Sequence, residues 1–189
     1  MKEYCKSRPS FGLAYFYFDF NEIEKQKVSA FVSSLLAQLC SQTVGVPELL
    51  VDLYKDCQSG QQSPATSELK ATLSEIIKEF EEVFFVVDAL DECPKTCEQE
   101  ELLAVIAEIK SWSPLKLHLL VTSRLEPDIE EALSPLLTSS AIPIQGFQID
   151  LDIRLHVADQ LASDPKLKRW SKDVKMEIEN ALVEGAGGM

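Results

Sequence analysis

The chain has 189 residues, the size of one domain with room for a sizeable core, and its 46% hydrophobic and 26% charged residues read as globular, not disordered. A net charge of −13 argues against nucleic acid or an acidic membrane as partner, since both need a basic footprint. No apolar run approaches the ~20 residues that span a bilayer, and Asp19 cuts short the basic-then-apolar start that superficially resembles a leader, with no small-residue cleavage site after it.

In chain order, LAYFYFDF (13–20) is aromatic-rich and ends in carboxylate country, which predicts a strand. Asn21 and Glu24 stand at capping-box spacing ahead of a helix whose Val28, Phe31, Val32, Leu35, Leu36 and Leu39 share one face. Pro47 opens a shorter helix through Leu49, Leu50, Leu53 and Tyr54, stopped near Gly60. Residues 58–67 are polar and predict a loop, followed by a helix with Leu69, Leu73, Ile76, Ile77 and Phe80 in register. The apolar run 83–88 predicts the next strand, and Thr96 with Gln99 announces a helix that buries Leu102, Leu103, Ile106 and Ile109. LKLHLLVT (115–122) is a further strand, then a helix spans about 127–137. Residues 141–149 predict a fourth strand, weakened by Pro143 and Gly146 and so near an edge. Two helices, about 150–162 and 171–184, end the chain before EGAGGM. The runs 83–88 and 117–122 are continuously apolar, which predicts burial on both faces of a parallel α/β sheet covered by helices.

The five cysteines, Cys5, Cys40, Cys57, Cys93 and Cys97, are odd in number and scattered; with only His118 and His156 beside them, they read as reduced thiols and not as a zinc site.

In an open parallel sheet, ligands collect outside the carboxyl ends of the strands. FFVVDALDEC (84–93) puts Asp88 there, and a hard divalent cation takes such an oxygen while keeping waters and phosphate oxygens. Ala89 is small enough for a close turn, and Asp91 and Glu92 on that turn suit the orienting of an attacking water. A strand ending in a solvated acidic turn is the plain alternative. HLLVTSR (118–124) brings Thr122, Ser123 and Arg124 to the end of a neighbouring strand. The planar fork of Arg124 matches a terminal phosphate, or it only pairs with nearby acids, of which 126–131 supplies several.

FFVVDALDEC followed by LHLLVTSR and EPDIEEAL resembles the NACHT class of signal-transducing (STAND) P-loop NTPases, and within it the nephrocystin-like N-terminal domain of multidomain repeat proteins, fungal ones especially. LAYFYFDFNEIEKQ, VPELLVDLY and RW…DVKMEIENALVEGAGGM extend the likeness over nearly the whole chain. The resemblance implies a three-layer P-loop NTPase sheet, with Asp88 as the Walker B metal acid reaching magnesium through ATP or GTP. Asp91 and Glu92 become the catalytic acids, and Arg124, with Thr122 and Ser123, the nucleotide sensor. His156 stands where the family is usually aromatic and reads as packing.

The phosphate loop G-x-x-x-x-G-K-[ST] is absent: Gly12, Gly45 and Gly60 precede the Walker B strand, and none is followed by the required lysine. The expectation is a partial domain, core about 11–149 and C-terminal helices about 150–184, clipped at both ends and not hydrolytic alone. In the family the strand before that loop lies between those corresponding to 117–122 and 141–149, so its loss leaves sheet edges without backbone partners. The expected protein is a cytoplasmic, nucleotide-driven switch that pairs with other NACHT chains or repeat modules. A non-catalytic interaction or decoy module that pairs with full-length relatives is the rival.

Overall fold

The structure, a computed structural model, describes residues 2–95, 97–112, 116–138, 140–143 and 147–186. They fall into two compact units, 1–137 and 138–189. The first holds helix α1 (Lys2–Lys6), strand β1 (Phe11–Tyr17), helices α2 (Val28–Cys40), α3 (Glu48–Asp56) and α4 (Thr66–Ile77), strand β2 (Glu82–Asp88), helix α5 (Cys97–Trp112), strand β3 (Leu117–Val121) and helix α6 (Pro127–Leu133). Single 3-10 turns occupy Ile23–Gln26, Leu90–Glu92 and Ser134–Leu136.

The fold is mixed α/β, as the alternating strand and helix signals predict. The three strands form one parallel sheet in the order β1-β2-β3. Tyr17 stands opposite Asp88 and Val87 opposite Val121, so the carboxyl ends of all three strands lie along one border. Parallel neighbours need a helical crossover, which α2 to α4 and α5 supply between the successive strands.

Gly12, Ala14 and Phe16 of β1, Val83, Phe85 and Val87 of β2 and Leu117 of β3 enter one core with the apolar stripes of α2, α4 and α5. Gly12 permits close packing here: a Cβ there would lie 2.9 Å from Leu39 Cδ2 and 3.1 Å from Phe80 Cδ1, so those core side chains would have to shift to admit one.

Several expectations are corrected. The apolar runs predict burial on both faces, but β2 alternates between buried Val83, Phe85 and Val87 and half-buried Phe84 and Val86, while Leu120 of β3 is exposed. On that second face Tyr4 of α1 meets Phe11 and Phe84, and His118 stacks on Phe84 at 4.6 Å while its Nε2 lies 3.1 Å from Glu82. Asn21 caps no helix. Its backbone and side-chain N–H groups both donate to Asp19 Oδ1, forming an Asx turn, and the next segment is a 3-10 turn. Thr96 lies outside the described residues, and Gln99 donates to the Cys93 carbonyl at 3.2 Å.

The described parts of the proposed strand 141–149 do not form one: 141–143 is irregular and helix α7 begins at Phe147, while 144–146 lies outside the described residues. Pro143 lacks the N–H that a ladder needs. The second unit contains α7 (Phe147–Ser163) and α8 (Lys172–Ala186), which bury Leu161 and Val183 and are tied by Arg154 Nη1, 3.0 Å from Glu179 Oε1 and 3.1 Å from Asn180 Oδ1. His156 is exposed on α7 and does not pack. Among the described residues no helix is long and apolar enough to cross a membrane.

Candidate functional site

The site grows from the ends of β2 and β3. Thr122 follows the last residue of β3, and its backbone N–H still donates to Val87 at 2.9 Å, so the ladder holds it beside Asp88. Its hydroxyl donates to Asp88 Oδ1 and accepts from the Ala89 N–H at 3.1 Å, while its carbonyl accepts from Leu90 N at 3.0 Å. Three contacts from one residue therefore fix the turn that leaves β2.

That turn is tight. Ala89 is left-handed at φ 56° and ψ 47°, a conformation that costs an L-residue roughly 1–2 kcal/mol, and a 3-10 turn through Leu90–Glu92 follows. Leu90 is fully buried and anchors the turn, so Asp91 and Glu92 are delivered to defined partners. Asp91 Oδ1 accepts from the Arg124 backbone N–H at 2.9 Å, and Arg124 Nε lies 3.4 Å from Asp91 Oδ2. Glu92 Oε2 accepts from the Phe20 N–H at 3.2 Å, tying the turn to the end of β1. Ser123 turns aside and donates to the Arg124 carbonyl at 2.7 Å.

The structure thus brings together Asp88 with Thr122 and Asp91 with Arg124, and it places Glu92 against the β1 end. Arg124 pairs with a nearby acid, but that acid is Asp91 and not one of the acids of 126–131. Glu126 instead pairs with Lys95. Two glutamines that sequence reasoning passed over shape the border. Gln26 Nε2 donates to the Phe20 carbonyl at 2.9 Å and the Asp19 carbonyl at 3.3 Å, holding the loop after β1, and Gln99 holds Cys93. Isolated glutamines carry no motif, so only the fold reveals them.

Cys5, Cys40, Cys57 and Cys93 are free and buried. Burial, with the nearby Glu98 charge, pushes the Cys93 thiol up to about 11, which favours the neutral thiol of a buried packing group. Among the described residues no three His, Cys, Asp or Glu side chains cluster tightly enough to hold a metal ion by themselves. A hollow of about 690 Å³ between α5 and α6, lined by Lys95, Gln99, Glu100, Leu103, Asp128 and Glu131 among others, touches none of the strand-end residues.

A parallel α/β domain whose border carries an acid on one strand end and a hydroxyl and arginine on the next belongs to the class that collects ligands at its carboxyl edge. The family can be stated: residues 1–124 match the model of the nephrocystin 3 N-terminal domain, and the chain belongs to that family. No curated protein and no solved structure matches the chain.

Proposed function

We propose that the chain is a NACHT-type, STAND-class nucleotide-binding domain, a relative of nucleotide-dependent oligomerisation switches. One observation carries this reading: Asp88, Thr122 and Arg124, from the ends of two adjacent parallel strands, converge on one border with the acids of the 90–92 turn. In it Asp88 faces the magnesium ion of ATP or GTP, Glu92 and Asp91 are the acids beside the reacting water, and Arg124 reads the terminal phosphate.

The donor set fits such a metal. Asp88 is a hard oxygen ligand with Oδ1 fixed by Thr122 and Oδ2 without a hydrogen bond among the described residues, and a magnesium ion held mainly by phosphates and waters needs only one or two carboxylates. When bound, a metal nucleotide supplies the phosphoryl group and its charge neutralisation. The chain's own residues orient the carboxylate, through Thr122, and present one guanidinium.

A cradle of backbone N–H groups, which does most of the phosphate holding in this class, is not encoded in the sequence given. Calorimetry with Mg-ATP and Mg-GTP should therefore give weak binding, well above micromolar, that requires magnesium and is lost in Asp88→Ala. Tight binding, or binding indifferent to both magnesium and Asp88, would sink the reading.

The second reading, an interaction module that pairs with NACHT relatives, is favoured by the outer edge of β3, where the Leu119 and Val121 backbones meet no partner among the described residues. Sedimentation of the chain mixed with a phosphate-loop-containing nephrocystin-type domain tests it; two independent species would refute it.

A further inference from the structure

Asp91 and Glu92 are adjacent carboxylates on one turn, yet their surroundings differ. Both oxygens of Asp91 face Arg124: Oδ1 accepts its backbone N–H at 2.9 Å and Oδ2 lies 3.4 Å from its Nε. Glu92 uses Oε2 on Phe20 N at 3.2 Å, and its Oε1 accepts no hydrogen bond among the described residues. Asp91 is also nearly enclosed, its side chain 10% exposed, whereas that of Arg124 is 72% exposed. The carboxylate is therefore fixed and the guanidinium is the mobile half of the pair.

We propose that Asp91 is a positioning residue and the resting occupant of Arg124, a latch that a phosphoanion must displace before the arginine can sense it. The backbone bond keeps residue 124 at the strand border in both states, and only the Nε contact is exchanged. A polyphosphate competes well for a guanidinium because it offers several charged oxygens to a planar, largely exposed fork that a single carboxylate holds through one Nε contact at 3.4 Å. The ion pair is thus a built-in discrimination against weaker anions. This rests on the phosphate-site reading above and divides its two turn acids: Asp91 acts through Arg124, and Glu92 keeps a free oxygen toward the border.

The test uses the full chain, inorganic tripolyphosphate with magnesium as probe, and NMR titration that includes the Arg124 Nε–H resonance. In the parent chain that resonance should shift as the carboxylate is exchanged for phosphate. Asp91→Asn keeps an oxygen for the backbone bond but removes the competing charge, so it should tighten tripolyphosphate binding about two- to fivefold, the scale of an exposed ion pair. A merely structural role for Asp91 predicts weaker binding instead. Arg124→Gln should weaken binding and abolish the gain from Asp91→Asn when the two are combined. If Arg124→Gln weakens binding while Asp91→Asn weakens it too or leaves it unchanged, the site reading stands and the latch is wrong. If saturating tripolyphosphate moves no strand-end resonance in the parent, the site reading fails and the latch with it. Should Asp91→Asn not fold, the Arg124 Nε–H shift in the parent still decides, since an unmoved resonance beside shifted neighbours overturns the latch alone.

Discussion

At the β1 edge of the sheet the outward backbone groups of Leu13 and Tyr15 are met by side chains; at the β3 edge those of Leu119 and Val121 have no partner among the described residues. Gln38 Oε1 accepts from Tyr15 N at 3.1 Å and its Nε2 donates to Tyr15 O at 2.8 Å; Gln42 does the same for Leu13 at 3.0 and 2.7 Å. Each amide offers one acceptor and one donor, as a neighbouring peptide unit would. The spacing explains why it works twice: four helical residues rise about 6 Å and two strand residues about 6.6 Å. Gln38 in the last turn of α2 and Gln42 in the turn just beyond its end therefore reach alternate strand residues, Tyr15 and Leu13. At β3, Val83 N donates to Lys116 and Thr122 N to Val87, so by alternation Leu117, Leu119 and Val121 point outward. Only the Leu117 carbonyl is met, by Lys110 Nζ at 2.5 Å; Leu119 and Val121 have no partner among the described residues. The middle of one edge is covered by the end of α2 and the turn after it, and the other is chemically able to take a strand.

The sharpest way to break this comparison is to remove the glutamines. Gln38→Leu with Gln42→Leu deletes four hydrogen bonds to β1, and at about 0.5–1.5 kcal/mol for each net bond we expect roughly 2–6 kcal/mol of lost stability in urea unfolding. A loss below about 1 kcal/mol would mean that water serves Leu13 and Tyr15 equally well, and the two edges would then be alike.

Next in size is Gly12→Val. Its Cβ would meet Leu39 Cδ2 at 2.9 Å and Phe80 Cδ1 at 3.1 Å, so α2 must retreat or the core must distort, at a typical overpacking cost of about 1–3 kcal/mol. A retreat also withdraws Gln38 and Gln42. The Leu13 and Tyr15 amides should then exchange faster with solvent, and unchanged exchange beside lowered stability would show that the glutamine contact is independent of the close approach.

In the parent chain itself, amide exchange compares the edges directly. The Leu13 and Tyr15 N–H groups should exchange at least about tenfold more slowly than those of Leu119 and Val121, equivalent to roughly 1.4 kcal/mol of extra protection. Equal rates would show that the glutamine bonds are transient.

Much of this architecture is legible in the sequence because periodicity reports burial. The stripe Phe31, Leu35 and Leu39 and the run Val83, Phe85 and Val87 are core positions as their spacing requires. The carboxyl-edge placement of Asp88, Thr122 and Arg124 follows from strand ends alone. Partners are not legible in this way. Nothing in the spacing of Asp91 and Arg124, thirty-three residues apart, says that they meet, since the parallel register sets that contact. The fourth strand fails for another reason: 141–149 is apolar enough for strand or helix, and a short apolar run does not distinguish them. The Gln38 and Gln42 pair is visible only in retrospect, because two glutamines four apart at the end of a helix have the same appearance whether they face solvent or a strand.

The smallest expected change in stability belongs to Leu120→Lys on β3. Leu120 is 51% exposed, so the substitution should alter monomer stability by no more than about 0.5 kcal/mol. Its effect should appear in association. A charge of −13 keeps copies of the chain apart at low salt, but the Debye length falls to about 3 Å at 1 M, and the bare β3 edge should then self-associate in sedimentation velocity. Lysine on an edge strand opposes strand-to-strand pairing by placing a charge where a neighbouring side chain would lie. The two mechanisms have opposite signs, which makes the variant informative. If association is governed by net charge, adding a positive charge to an acidic chain should promote it. If it is governed by the β3 edge, Leu120→Lys should suppress it at high salt while leaving the unfolding midpoint in place. Association that persists or grows in the variant would assign stickiness to some other surface, and the difference between the two edges would then concern stability alone.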